Sequence, residues 1–146
     1  MAKGISIHIG VNKVDPRHYG GWSGHLNACE ADAKDLETIA NGKGFATSRL
    51  ETASATRGAV LEGIKSAAGT LGEGDIFLLT YSGHGGQRPD RSGDEADLQD
   101  ETCCLFDGQI IDDELGILWS EFAPGTRILV LSLSRAPWSA RRRPRA

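Results

Sequence analysis

From Gly4 to Val11 the chain alternates Ile5, Ile7 and Ile9 with Ser6 and His8, a period of two that predicts a strand with one buried face. A loop punctuated by Asp15-Pro16 and Gly20-Gly21 follows,. Asn27 then stands where it can cap a helix whose apolar stripe is Cys29, Ala33, Leu36, Ile39 and Ala40, closed by Gly42 and Gly44,. A short strand near 46–50 leads to Thr56, the expected N-cap of a second helix striped by Val60, Ile64, Ala67, Ala68 and Leu71 and stopped by Gly72 and Gly74,.

Asp75 to Tyr81 is a continuous apolar run between glycines, the pattern of a strand buried on both faces of a parallel sheet,. Arg127 to Leu131 is a second such run. Strands alternating with helices imply right-handed crossovers and an α/β sandwich. Between the two runs, an acidic stretch and Cys103 to Ile111 predict a loop and a small hairpin. No internal repeat is evident.

At 146 residues the chain has room for one core and no second module,. Its apolar runs fall far short of the roughly 20 residues of a membrane-spanning helix. The start Met1-Ala2-Lys3-Gly4 lacks the apolar core and cleavage site of a signal peptide, so a cytoplasmic location is the expectation,. Three cysteines, Cys29, Cys103 and Cys104, make no disulfide framework, and no C-x-x-C pair or histidine partner lies at ligand spacing,.

Sixteen Lys and Arg stand against 20 Asp and Glu, a net −4. That figure hides a split. Residues 135–146 hold five Arg and no acid, which leaves the first 134 residues with 11 basic and 20 acidic groups, a balance of −9. Ten of the carboxylates crowd into residues 90–114, where they repel one another unless solvated or met by a cation,. An acidic body opposes polyanions, so neither a nucleic-acid nor a membrane partner is expected, even with the arginine-rich tail read as a basic arm.

In parallel α/β sheets, chemistry gathers beyond the carboxyl edge of the strands. Tyr81-Ser82-Gly83-His84-Gly85-Gly86-Gln87 sits there. Glycines on both sides free the backbone to approach a ligand, which suits His84 to general acid–base work. A turn histidine, with glycines supplying positive φ only, fits the residues equally well. A metal role is weaker, because His8, His18 and His25 are scattered, and the nucleotide-binding spacings are absent,.

Tyr81-Ser82-Gly83-His84-Gly85 after its apolar strand, together with Leu26-Asn27-Ala28-Cys29-Glu30-Ala31-Asp32-Ala33, resembles the large subunit of the caspase-like cysteine peptidases, closest to the metacaspases and their bacterial relatives. The resemblance runs over roughly residues 4–132. It implies a caspase-like three-layer α/β sandwich, a mainly parallel sheet flanked by helices, acting on a peptide or protein substrate. It further implies that His84 is the base partnering a cysteine nucleophile and that the Gly85 amide helps bind the oxyanion. Cys29, Asp32 and Ser82 would surround a specificity pocket whose acidic lining selects Arg or Lys at the cleavage position. No cofactor is required for that chemistry, but the resemblance also implies a possible calcium site, with ligands at Asp100, Asp112 and Asp113; hard oxygen donors in a loop are what calcium needs. Asp112-Asp113-Glu114 reads as well as the acidic first turn of a short helix.

The chain departs from the family after Ser132. Where the resemblance calls for Asp-Ser-Cys-His-Ser-Gly it reads Leu133-Ser134-Arg135-Ala136-Pro137-Trp138. The nucleophile position falls on Arg135 and the second acidic pocket position on Leu133. Cys103 and Cys104 precede that strand, and Ser132 or Ser134 would need a far better base than a thiol does. The expected organisation is therefore a peptidase domain over 1–134, incomplete at its C-terminus and catalytically dead as it stands, followed by an Arg/Pro-rich tail, 135–146, with the composition of an out-of-frame reading. The partner such a chain lacks is a small subunit or another peptidase chain. A pseudo-peptidase that binds peptides or proteins is the other reading.

Overall fold

The computed structural model describes residues 2–89 and 99–138, with the side chains of 2–86 and 102–134. Six strands, β1 (Gly4–Gly10), β2 (Ala46–Glu51), β3 (Ile76–Pro89), β4 (Gln99–Leu105), β5 (Gly108–Ile111) and β6 (Arg127–Trp138), form one sheet with three helices, α1 (Cys29–Gly42), α2 (Arg57–Thr70) and α3 (Asp112–Trp119). The sheet runs β2-β1-β3-β4-β5, and β6 lies along the other flank of β3. β2, β1, β3 and β6 are parallel, whereas β4 and β5 are antiparallel. This is the α/β sandwich that the alternation of elements predicts.

The period-two pattern of β1 sorts its residues between two different layers. Ile7 and Ile9, with Phe77, Leu79 and Tyr81 of β3, face α2 and α3 and build the main core with Val60, Ile64, Ala67, Leu118 and Phe122. Phe77 and Phe122 pack with ring centroids 5.2 Å apart. Ser6, His8 and Gly10 face α1. His8, 0% exposed, is satisfied on both ring nitrogens: Nδ1 lies 2.8 Å from Thr80 Oγ1 and Nε2 2.8 Å from Ser6 Oγ. A buried imidazole without such partners would be costly.

Several expectations are corrected. Asn27 does not cap α1. The N-cap is Ala28, without a side-chain bond, and Asn12 from the loop after β1 accepts from the N–H groups of Cys29 at 2.9 Å and Glu30 at 3.2 Å. Thr56 does cap α2, accepting from Ala59 N. Ile39, placed in the buried stripe, is 57% exposed, because the closely packed face of α1 is narrow and made of Cys29, Ala33 and Ala40. The hairpin starts at Gln99, four residues earlier than expected.

β3 is the largest departure. It continues eight residues past the expected apolar run, through Ser82-Gly83-His84-Gly85-Gly86 to Pro89. None of Gly83, Gly85 and Gly86 has positive φ. The glycines therefore make no turn, and the reading of His84 as a turn histidine falls. β6 likewise runs to Trp138, so the boundary expected after 134 lies inside a strand. Residues 139–146 of the tail, and 90–98 of the acidic stretch, lie outside the described residues.

Candidate active site

β1 pairs with β3 only as far as Gly10 opposite Ser82, and β4 takes over the same flank at Cys103 opposite Gly85. Gly83 and His84 bridge the gap between the two neighbours. Such a break, where one strand ends at its carboxyl edge and the chain order changes, opens a crevice in α/β sheets. The loop that leaves β1 crosses this gap and closes on His84. The His84 Nε2 lies 3.1 Å from the Gly24 carbonyl oxygen, and the Trp22 ring meets the imidazole edge-on, centroids 4.7 Å apart at 62°. From beneath, the Tyr81 hydroxyl lies 2.5 Å from the His84 carbonyl oxygen and 2.8 Å from that of Cys104, tying β3 to β4. Burial pushes the Tyr81 phenol well above its ordinary pKa, so it stays protonated and donates,. Tyr81 also explains Gly83: a Cβ there would sit 2.5 Å from the hydroxyl oxygen.

The β3–β6 register fixes what stands opposite His84. Ser82 pairs with Leu133 and His84 with Arg135, and residues paired across a ladder share a face,. The positions that the resemblance assigns to the second pocket acid and to the nucleophile are therefore beside Ser82 and His84. Ser132 and Ser134 pair instead with Tyr81 and Gly83, on the other face, and their hydroxyls bond to each other at 2.8 Å. Cys103 pairs with Gly85, again on that other face. Cys104 is 0% exposed, and burial raises its thiol to about 12. Ser132, Ser134 and Cys103 thus lie on the face away from His84, and Cys104 is fully buried.

The expected pocket residues converge from two elements. Ser82 Oγ donates to Asp32 Oδ2 at 2.8 Å, joining β3 to the first turn of α1. Ser82 and Cys29 are each 0% exposed, whereas Asp32 is half-buried and carries the accessible surface of the three. Cys29 lies at the start of α1 beneath the Asn12 cap. Asn12 N–H donates to Thr52 Oγ1 at 3.1 Å, and the Thr52 hydroxyl donates to Glu30, so a network holds the α1 terminus. Gly85 is buried next to a register slip: pairing jumps from His84–Arg135 to Gly86–Trp138, which leaves Gly85 without a register partner on β6.

The acidic residues proposed for calcium are divided. Asp112 and Asp113 open α3, where the helix dipole favours carboxylates, and Glu114 is gripped by Arg57 at 3.0 and 2.5 Å,. The side chain of Asp100 lies outside the described residues, although its backbone stands two positions before Thr102, which pairs with Ile111 at the start of α3. Among the described residues no group of three or more Asp, Glu, His or Cys is gathered as a metal site. Two described aspartates do not make the six to eight oxygen ligands of calcium.

Trp22, Gly24 and Asn12 are the site-building residues that composition and motif spacing missed, while Tyr81 stood in the motif without a role. The available signal was a tryptophan set among glycines, Gly20-Gly21-Trp22-Ser23-Gly24, in a loop already placed at the carboxyl edge of the first strand.

Comparison with known proteins shows what the chain is similar to. The family model described as metacaspase, peptidase C14 domain, matches residues 6–134. Metacaspase-1A of Aspergillus terreus is 31% identical over 142 residues, covering 86% of this chain and 34% of its own. Metacaspase-3 of Arabidopsis thaliana is 36% identical over 129 residues, 79% of this chain and 34% of its own. A crystal structure of a Geobacter sulfurreducens protein superposes with a TM-score of 0.84 at 60% identity, covering 90% of this chain and 50% of that one. The chain thus spans about a third of the length of the curated relatives it matches. No helix among the described residues is long and apolar enough to cross a membrane.

Proposed function

We propose that this chain, which belongs to the metacaspase family of C14 peptidases, is a caspase-like domain that keeps the histidine and the acidic pocket wall of a cysteine-peptidase site without its nucleophile. It binds peptides bearing a basic residue and does not cleave them. The observation that carries this reading is the register of β6, which sets Arg135 opposite His84 and Leu133 opposite Ser82.

The chemistry follows from the residues. With the Nε2 proton given to Gly24 O, Nδ1 is the ring nitrogen that takes a proton,. A thiol at position 135 would pass its proton there, attack the scissile carbonyl as thiolate, and recover the proton on the leaving amine. The resemblance gives the Gly85 amide, beside the slip in the ladder, the part of donor to the developing oxyanion,. An arginine at position 135 stops the sequence at its first step. Its guanidinium is always protonated and offers no lone pair for attack. What remains is recognition: the Asp32 carboxylate, oriented by Ser82, faces a basic side chain, within a body whose first 134 residues carry −9. The described residues alone do not make a calcium site, and no step here runs through one. The same reading gives the outer edge of β6, with Leu129, Val130, Leu131 and Leu133 exposed, to strands supplied by a small subunit or another peptidase chain.

Fluorogenic peptides with Arg or Lys at the cleavage position test both halves. No turnover is expected with or without calcium, and saturable binding of the basic peptide is expected to weaken at least about tenfold in Asp32→Asn, as loss of a charge-assisted contact implies. Turnover that disappears in His84→Ala would overturn the inactive reading, and binding indifferent to Asp32→Asn would overturn the pocket.

A further inference from the structure

The loop that closes over His84 is built around one side chain. Gly24 has φ +56°, in the left-handed region, and a Cβ on it would lie 2.5 Å from Trp22 Cη2 and 2.6 Å from Cζ2. The indole ring thus lies directly on the α carbon of the residue whose carbonyl meets His84 Nε2. The same ring touches the imidazole edge-on. Trp22 is itself anchored. Its backbone N–H donates to Tyr19 O at 3.2 Å, and its ring packs on that of Tyr19, centroids 6.0 Å apart. Tyr19 is 2% exposed, and its hydroxyl donates to Leu105 O at 2.6 Å at the end of β4. A chain of fixed contacts therefore runs from β4 through Tyr19 to Trp22, and from Trp22 to both the Gly24 backbone and the His84 imidazole.

We propose that Trp22 is a positioning residue for His84: by fixing the Gly24 carbonyl and abutting the imidazole, it holds the ring with the proton on Nε2 and the basic nitrogen at Nδ1. That this orientation serves a base rests on the reading of His84 given above; that Trp22 imposes it does not. Truncating the indole removes the edge contact and the wedge against Gly24 together. Gly24 is then free to take other backbone conformations, since glycine populates both signs of φ with little penalty, and the acceptor for Nε2–H is lost with it.

The experiment is ¹⁵N and ¹H NMR of the imidazole in the full chain. In the parent protein near neutral pH the ring ¹⁵N shifts are expected to show His84 protonated on Nε2, with exchange of that proton with water slowed by the carbonyl bond. In Trp22→Leu the exchange is expected to accelerate about tenfold or more, in line with loss of an aromatic contact and a sheltered hydrogen bond. Trp22→Phe, which keeps an aromatic edge, restores most of the protection. An Nδ1-protonated ring in the parent overturns the proposal, as does a Trp22→Leu protein with an intact amide spectrum and unchanged exchange. If Trp22→Leu does not fold, the parent tautomer and the Trp22→Phe exchange rate still decide, because Phe as fast as an unprotected imidazole contradicts the clamp. None of these outcomes depends on peptide binding or cleavage.

Discussion

Replacing Gly10 by alanine tests how tightly the α1 layer is bolted to the sheet. Gly10 ends β1 beneath the N-terminus of α1, and an added Cβ would lie 2.4 Å from the Cys29 carbonyl oxygen, 2.9 Å from the Cys29 carbonyl carbon and 2.9 Å from Ala33 Cβ. Two of those atoms are backbone and the third is a Cβ, so no side chain can swing aside. The helix must lift, taking with it Asp32 and its 2.8 Å bond from Ser82. Forcing one methyl into a packed core costs about 1–3 kcal/mol. The clash with backbone puts this case in the upper half, about 2–3 kcal/mol, or roughly 10 °C in melting midpoint for a domain of this size. Gly69→Ala on α2 is the matched control. Nothing lies within 4 Å of its added Cβ, and helix propensity alone predicts a gain of about 0.5–1 kcal/mol,. Urea unfolding with a constant slope measures both. A Gly10→Ala protein within about 0.5 kcal/mol of the parent would refute the packing argument, since an ordinary surface change does no more.

The pH profile carries a second expectation. Burial pushes the His8 imidazole below its ordinary 6.5, with the Glu37 carboxylate of α1 opposing. The unfolded state therefore binds the proton more readily, and the His8 contribution is complete above about 6.5 and lost as pH falls through the lower folded value. Asp15, held near 2 chiefly by the Arg17 side chain, and Asp75, lowered by the Lys3 and Gly72 N–H groups, act in the same direction at more acid pH. Urea midpoints should fall from pH 7.5 to 5.5 and fall less in His8→Asn; equal slopes in the two proteins would contradict the assignment. On the open strand, Leu129 is 55% exposed. Leu129→Lys should lower light scattering on concentration, as charged edges do, and leave the unfolding midpoint within about 0.5 kcal/mol. A loss above about 2 kcal/mol would mean that Leu129 is packed after all.

Much of the sheet was legible because its signals are local. Ile5, Ile7 and Ile9 alternate at the period of a strand, and Thr56 caps α2 through the residue three positions on. What escaped depends on partners distant in the chain. Asn12 caps a helix 17 and 18 residues away, so Asn27, adjacent to that helix, looked the better candidate. Glycines around His84 fitted a turn as well as a strand; they are extended, and at Gly83 the Tyr81 hydroxyl occupies the space a side chain would fill. The histidine was visible in its motif. Its orienting carbonyl, 60 residues earlier, was not. Position 135 was the reverse case: the resemblance pointed to it, and the register of β6 sets it opposite His84.

The central claim is that an otherwise assembled half-site ends at Arg135. It is tested most directly by putting a cysteine there and measuring covalent capture of a peptidyl-arginine chloromethyl ketone by intact-mass and peptide mass spectrometry. Arg135→Cys is expected to be labelled at position 135, and adding His84→Ala should slow that labelling by at least about 100-fold, the usual scale for a positioned base. Labelling that is absent, or equally fast without His84, would contradict the account.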